Sequence, residues 1–87
     1  MLTVKILGPG CANCERLEAE ARAALQAITP PLDFAVEKVT EMQDIMAYGV
    51  MSTPGLVINE QLVSEGRVPR REQIVTWALQ ILEVQGH

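Results

Sequence analysis

The chain has very few aromatic residues: phenylalanine, tryptophan and tyrosine occur once each and make up 3% of its 87 residues. A hydrophobic core must therefore be aliphatic. Hydrophobic residues still make up 48% of the chain and charged residues 21%, a balance typical of folded domains rather than disordered chains. At this length we expect residues 1–87 to form one small domain.

An excess of basic residues is also absent. Seven lysine and arginine residues stand against eleven acidic residues, which gives a formal net charge of −4 at pH 7. Proteins that follow nucleic-acid phosphates, and modules that bind anionic membrane surfaces, carry a basic excess. We therefore expect neither nucleic acid nor membrane as a partner.

No apolar segment is long enough to span a bilayer. The longest uncharged run, residues 45–59, is interrupted by Gly49, Pro54 and Gly55 and is shorter than the roughly 20 apolar residues that a span requires. The first seven residues lack the basic segment that begins a signal peptide. We expect a cytoplasmic monomer.

Cysteine is scarce as well, since only Cys11 and Cys14 are present. Two cysteines cannot make the multi-bridge framework of a small secreted protein. A disulfide between residues three positions apart closes a very small loop and stabilises the fold little. The pair therefore indicates chemistry rather than structural cross-linking.

Hydrophobic periodicity predicts a strand, a helix and a second strand in the first half of the chain. Residues 2–7 alternate between apolar and polar, as in a strand. From Ala12 onward apolar residues recur at intervals of three and four, up to Pro30 and Pro31, which end the helix. Residues 32–39 form the second strand candidate. The apolar stripe of the helix consists of Cys14, Leu17, Ala21, Ala24, Leu25 and Ile28.

A short second helix follows. Thr40 and Gln43 have the spacing of a capping box, which predicts its beginning. Met42 and Met46 lie at helical spacing, and we expect both side chains in the core. Gly49 is a suitable residue just after the helix end.

The last part of the chain predicts a hairpin and a helix. Residues 55–59 and 62–65 are the two strands, and Pro69 suits the first turn of the final helix. The element order is thus β-α-β-α-β-β-α, an α/β fold with a four-stranded mixed sheet and three helices covering both faces. The right-handed crossover rule makes strands 2–7 and 32–39 parallel neighbours.

The Cys11-Ala12-Asn13-Cys14 motif lies at the junction of the first strand and the first helix. Cys11 falls at the N-cap or first turn, where free N–H groups and the helix dipole stabilise a thiolate. Cys14 lies one turn further along, on the apolar stripe, and should be the more buried thiol. This asymmetry suits disulfide exchange, in which Cys11 attacks a substrate disulfide and Cys14 resolves the mixed disulfide.

A second motif, Met51-Ser52-Thr53-Pro54-Gly55, precedes the third strand. With these two motifs in this order, the chain resembles the thioredoxin superfamily, and in particular its small redox-active disulfide proteins of glutaredoxin size. The resemblance implies a thioredoxin-like fold and a thiol–disulfide oxidoreductase that needs no cofactor. Its substrates would be protein or small-molecule disulfides, and a reductase or dithiol electron donor would recycle it in the reducing direction.

The resemblance also implies a substrate-binding edge beside the cysteines. The Thr53–Pro54 bond would be cis and lie next to the CxxC pair, and Thr53 would present backbone groups to an extended substrate segment. Gly66 would allow the substrate backbone to approach.

Three features depart from the thioredoxin pattern: Gly10 replaces a tryptophan, Ala12-Asn13 replaces the pair usual between the cysteines, and Lys5 replaces a buried aspartate. A lysine near Cys14 could favour its thiolate or, if neutral, take its proton. The alternative, which we favour, is that Lys5 lies along the sheet with its ammonium group in water.

Two alternatives use the same residues differently. The Gly10–Cys14 segment also resembles the metal loop of heavy-metal-associated domains, which implies soft-metal (Cu or Zn) binding by the CxxC pair. Those domains run β-α-β-β-α-β and end in a strand, however, and the terminal His87 is not taken as a metal ligand. The other alternative is an interaction domain in which Met42, Met46 and Met51 line a partner groove.

Overall fold

The structure, a computed structural model, describes residues 1–85 and contains four strands and three helices in the predicted order. His87 lies outside the described residues. Residues 71–85 form a helix, where the metal-binding alternative requires a strand. The elements are β1 (Leu2–Leu7), α1 (Ala12–Gln26), β2 (Phe34–Val39), α2 (Met42–Met46), β3 (Gly55–Ile58), β4 (Gln61–Glu65) and α3 (Arg71–Gln85).

The sheet is mixed, with strand order β2-β1-β3-β4. β1 and β2 are parallel, as the crossover rule predicts, whereas β1–β3 and β3–β4 are antiparallel. The predicted α/β fold is therefore confirmed. No helix within residues 1–85 is both long and apolar enough to cross a membrane.

The helices cover the two faces of the sheet because the side chains of β1 alternate. Leu2, Val4 and Ile6 belong to the larger core, together with α1 and α3. Leu7 belongs to a smaller core with Ile45 of α2 and Val57 of β3. Every residue of the predicted apolar stripe of α1 is buried.

Helix α2 differs from its prediction. Its N-cap is Glu41, which makes no side-chain capping hydrogen bond, so the predicted Thr40–Gln43 capping box is wrong. Met42 and Met46 are 54% and 64% exposed, so their expected place in the core is also wrong. The helix has only five residues and buries Ile45 alone, because it is little more than one turn long.

The bounds of three other elements shift slightly. β2 begins at Phe34 rather than residue 32, and α3 begins at Arg71, two residues after Pro69. β4 includes Gln61, which leaves Asn59 and Glu60 as a two-residue turn, with φ of 47° and 68°. Positive φ at both positions is the pattern of a type I′ turn, whose twist matches that of the strands it joins.

The turn is also fixed to β1. The side-chain oxygen of Asn59 accepts a hydrogen bond from the Thr3 N–H at 2.8 Å. The backbone N–H of Asn59 donates to the Thr3 carbonyl, also at 2.8 Å. The β3–β4 hairpin is thereby held beside the central strand at the end of the sheet opposite the CxxC motif.

Candidate active site

The cysteine pair lies where the loop after β1 enters α1. Cys11 is the N-cap residue, with extended backbone (φ −77°, ψ 169°), and its sulfur accepts a hydrogen bond from the Cys14 N–H at 3.2 Å. The two Cα atoms are 5.0 Å apart and the sulfurs form a disulfide. Cys11 Sγ thus occupies the place of a capping side chain at the positive end of the helix.

The two cysteines differ in exposure. Cys11 is exposed, whereas Cys14 is only 5% exposed because it continues the buried stripe of Leu17 and Ala21. A substrate can therefore reach the sulfur of Cys11 more readily than that of Cys14. This is the asymmetry that the helical periodicity predicts.

Gly8, directly after β1, lies close to both the cysteine pair and Pro54. A Cβ atom added to Gly8 would overlap the sulfur of Cys14 and would lie 3.9 Å from the Pro54 Cα. The Cys14 sulfur and the Pro54 α-carbon therefore both lie close to Gly8. The room that Gly8 leaves is filled by Cys14 rather than left open for a substrate sulfur, a contact that the sequence pattern does not reveal.

The Thr53–Pro54 segment and Gly66 form one edge beside this point. The Thr53–Pro54 bond is cis in the structure, Pro54 is buried and Thr53 is exposed. The Gly66 N–H donates to the Pro54 carbonyl at 2.9 Å. Gly66 has φ of 77°, and a Cβ there would lie 3.0 Å from the Cβ of Ser52. The three residues that the resemblance assigned to substrate binding are thus brought together.

A crevice of about 10 Å³, roughly the room of one water molecule, lies beside Cys14. Besides Cys14 it is lined by Ile6, Gly8, Gly10, Glu15, Lys38 and Thr40. The ammonium group of Lys38 lies 3.3 Å from Glu15 Oε1 and 3.2 Å from Glu18 Oε1. The sequence analysis missed these charged residues, because β2 and α1 meet only in the folded chain.

These contacts shift the pKa values of Lys38 and Glu18. The Glu18 and Glu15 carboxylates raise the pKa of Lys38 above its usual value. Burial acts to raise the pKa of Glu18, but hydrogen bonds from Lys38 and Arg22 outweigh it, so that this pKa is lowered. The charged forms of Lys38 and Glu18 are therefore both favoured, and Lys38 lines the crevice beside Cys14.

Lys5 does not take part in this arrangement. It shares the sheet face of Leu7 and α2, opposite the face against which α1 packs. Its ammonium group lies 2.7 Å from Glu60 Oε1 and donates to the Tyr48 hydroxyl, also at 2.7 Å. Lys5 therefore lies along the sheet away from Cys14, as expected, with its ammonium group accessible to solvent but paired rather than free. The Glu60 carboxylate, and then Tyr48, raise the pKa of Lys5 well above its usual range.

The mixed sheet with three helices, and a CxxC pair at a helix N-terminus beside a proline loop, define a thioredoxin-fold dithiol protein. A family model described as "Thioredoxin domain" matches residues 2–79. The chain belongs to the thioredoxin family and is a thiol–disulfide oxidoreductase. Disulfide substrates and a reductase partner follow from that membership in general terms.

Two curated relatives and one solved structure show the extent of the similarity. The chain is 39% identical over 74 residues to "Thioredoxin" of Methanothermobacter thermautotrophicus, covering 85% of this chain and 94% of the relative. It is 30% identical over 74 residues to "Thioredoxin" of Methanocaldococcus jannaschii, covering 85% and 83%. The fold is also similar to the J-Trx1 fragment of ERdj5, with a TM-score of 0.63 and 22% identity, covering 94% of this chain and 43% of that one.

Proposed function

We propose that this protein reduces disulfides by a two-step exchange in which Cys11 is the attacking thiolate and Cys14 the resolving thiol. The observation that carries the proposal is the asymmetry of the pair. Cys11 is exposed and its sulfur accepts the Cys14 N–H at 3.2 Å, while Cys14 is 5% exposed. The helix N-terminus favours negative charge on Cys11, and burial favours the uncharged thiol of Cys14.

The exchange reaction has two steps. The Cys11 thiolate attacks one sulfur of the substrate disulfide, forms a mixed disulfide and releases the other sulfur as a thiolate. Cys14 then loses its proton to solvent and attacks the Cys11 sulfur, which closes the Cys11–Cys14 disulfide and releases the second substrate thiol. The protein has lost two electrons and the substrate has gained them.

Thr53, Pro54 and Gly66 are proposed to guide the substrate. An extended polypeptide segment would lie along the exposed backbone of Thr53, beside the buried Pro54. The Gly66 N–H is already used by the Pro54 carbonyl, so Gly66 contributes close approach rather than a hydrogen bond to substrate. The exposure of Gly66 supports this role.

The proposal also covers the direction of the exchange reaction and the cellular location of the protein. Residues 1–87 act as one monomeric domain in the cytoplasm, where a glutathione poise near about −220 mV keeps thiols reduced. Protein or small-molecule disulfides are the substrates. A flavin reductase or a dithiol partner returns the Cys11–Cys14 disulfide to the dithiol after each turnover.

Single cysteine variants test the assignment. The reduced Cys14→Ser variant should form a stable mixed disulfide with a disulfide-bonded peptide, visible as a mass increase, because no thiol is left to resolve it. Cys11→Ser should trap no peptide and should lose turnover. Alkylation of the reduced wild-type protein at neutral pH is the second measurement. Faster labelling of Cys14 than of Cys11 would reverse the assignment.

A further inference from the structure

We propose that Arg67 and Arg70 form a binding surface for an acidic segment of disulfide-bonded protein substrates. The proposal rests on the dithiol reaction proposed above and names a preference within its substrates. Both arginines are exposed and line one cavity of about 520 Å³ before and at the beginning of α3. The other lining residues are Pro69, Glu72 and Gln73.

These arginines differ from the other basic residues of the described chain in their side-chain contacts. Within residues 1–85, neither Arg67 nor Arg70 makes a hydrogen bond or an ion pair with another side chain. The other five basic side chains each have an oxygen acceptor. The pairs are Lys5 with Glu60, Arg16 with Asn13, Arg22 with Glu18, Lys38 with Glu15 and Glu18, and Arg71 with Glu20.

The surface continues the edge that lies beside the cysteines. The Gly66 N–H is bonded to the Pro54 carbonyl, and Arg67 is the next residue along the chain. Pro54 and Cys14 both lie close to Gly8. A polypeptide segment whose cysteine reaches Cys11 past Thr53 and Gly66 would therefore continue toward the two arginines.

The charge distribution of the protein favours an acidic substrate segment at this surface. The protein carries a formal charge of −4, so an acidic partner is repelled over most of its surface and finds unpaired positive charge here. Guanidinium groups bind carboxylates through paired hydrogen bonds. Glu72 also lines the cavity, which leaves two positive groups against one negative group. Aspartate or glutamate residues a few positions from the substrate cysteine fit this surface.

Three peptides with one disulfide to the same reporter thiol provide the test. They differ only in two residues beside the cysteine, which are glutamate, glutamine or lysine. The Arg67→Gln/Arg70→Gln variant should lower kcat/KM for the glutamate peptide about three- to tenfold, mainly through KM, and change the glutamine peptide less than about twofold. Added salt at about 0.5 M should remove the wild-type preference.

Two matched variants sharpen the result. Arg71→Gln removes the same charge from the neighbouring position, but Arg71 is already paired with Glu20, so the preference for the glutamate peptide should persist. Glu72→Gln removes the opposing charge in the cavity and should increase the preference.

Two results would overturn the inference while leaving the dithiol reaction intact. One is equal turnover of the glutamate and glutamine peptides by the wild-type protein. The other comes from glutathione disulfide assayed beside the peptides: a double variant that is slower only with this substrate would assign the surface to a small anion. Failure of the wild-type protein to reduce any of the peptides would instead overturn the dithiol reaction, and this inference with it.

Discussion

The sulfur of Cys14 lies beside the α-carbon of Gly8, in the space that a side chain would fill. The end of β1 and the first turn of α1 approach each other closely at this point. Cys14 is therefore held by the backbone that directly follows the central strand as well as by its own helix.

Gly8→Ala should displace the Cys14 sulfur and slow the resolving step. Insertion of a methyl group into a packed contact costs about 1–3 kcal/mol of unfolding free energy. Stopped-flow measurement should show a longer-lived mixed disulfide on Cys11, and urea denaturation should show the loss of stability. Gly10→Ala is the control for the lifetime: its φ of 100° costs stability, but within residues 1–85 no atom lies within 4 Å of an added Cβ, so the Cys14 sulfur should not move. An unchanged lifetime in Gly8→Ala would contradict the prediction.

Gly66→Ala should be more destabilising than Gly49→Ala, although both glycines have nearly the same φ, 77° and 76°. The left-handed backbone costs a non-glycine residue about 1–2 kcal/mol at either position. Only at Gly66 does the new Cβ meet another atom, the Ser52 Cβ at 3.0 Å, whereas Gly49 faces open space.

The glycine comparison is measured by urea denaturation. Ser52→Gly in the Gly66→Ala background should bring the loss of stability back to that of Gly49→Ala, because it removes the contact. If the double variant remains as unstable as Gly66→Ala, the contact with Ser52 does not explain the difference.

Helix α2 should depend on Ile45 and not on its methionines. Ile45→Ala should lower the unfolding free energy by about 2–5 kcal/mol, since Ile45 is 1% exposed and packs with Leu7 and Val57. Met46→Ala should change it by no more than about 0.5 kcal/mol, because that side chain is 64% exposed. Thermal or urea unfolding of the two variants measures the contrast, and equal losses would place Met46 in the core after all.

The Lys5–Glu60 pair should make the unfolding free energy depend on pH. The Glu60→Gln variant should not show this dependence. The hydrogen bond from Lys5 lowers the pKa of Glu60 below 4.5, against the effect of desolvation. A lowered carboxyl pKa stabilises the fold above the unfolded value, and this contribution is lost as the pH falls through the folded pKa. The raised pKa of Lys5 acts in the opposite sense: its contribution is present below 10.5 and is lost as the pH rises through the folded value.

The difference in unfolding free energy between wild type and Glu60→Gln should therefore be level from about pH 6 to 9 and shrink below pH 4.5. Both side chains are accessible to solvent, so salt should reduce the difference throughout. A series of urea titrations across pH measures it. A difference that persists unchanged in acid would show that the carboxylate charge is not responsible.

Local patterns were sufficient for much of the fold and for the cysteine pair. The strand Leu2–Leu7 and the buried stripe of α1 repeat over enough residues for their periods to be read, and the same stripe predicts that Cys14 is buried. The change of period before Ala12 places Cys11 at the N-cap or in the first turn, and the structure has it at the N-cap.

The remaining features depend on contacts between distant parts of the chain. α2 is too short for periodicity to distinguish its buried side from its exposed side, so Met42 was assigned to the core although it is exposed. Lys38 reaches Glu15 only because β2 and α1 are brought together, and Lys5 finds Glu60 across 55 positions of sequence. No local pattern contains these pairs.

The turn between β3 and β4 illustrates a general difficulty for protein engineering. Glu60 has φ of 68°, a conformation in which glycine is preferred, and a substitution chosen by backbone geometry alone would place glycine there. That choice would relax the backbone but remove the carboxylate that binds Lys5 and Tyr48. The residue at this turn is thus a compromise between two requirements, and redesign of the hairpin would have to satisfy both.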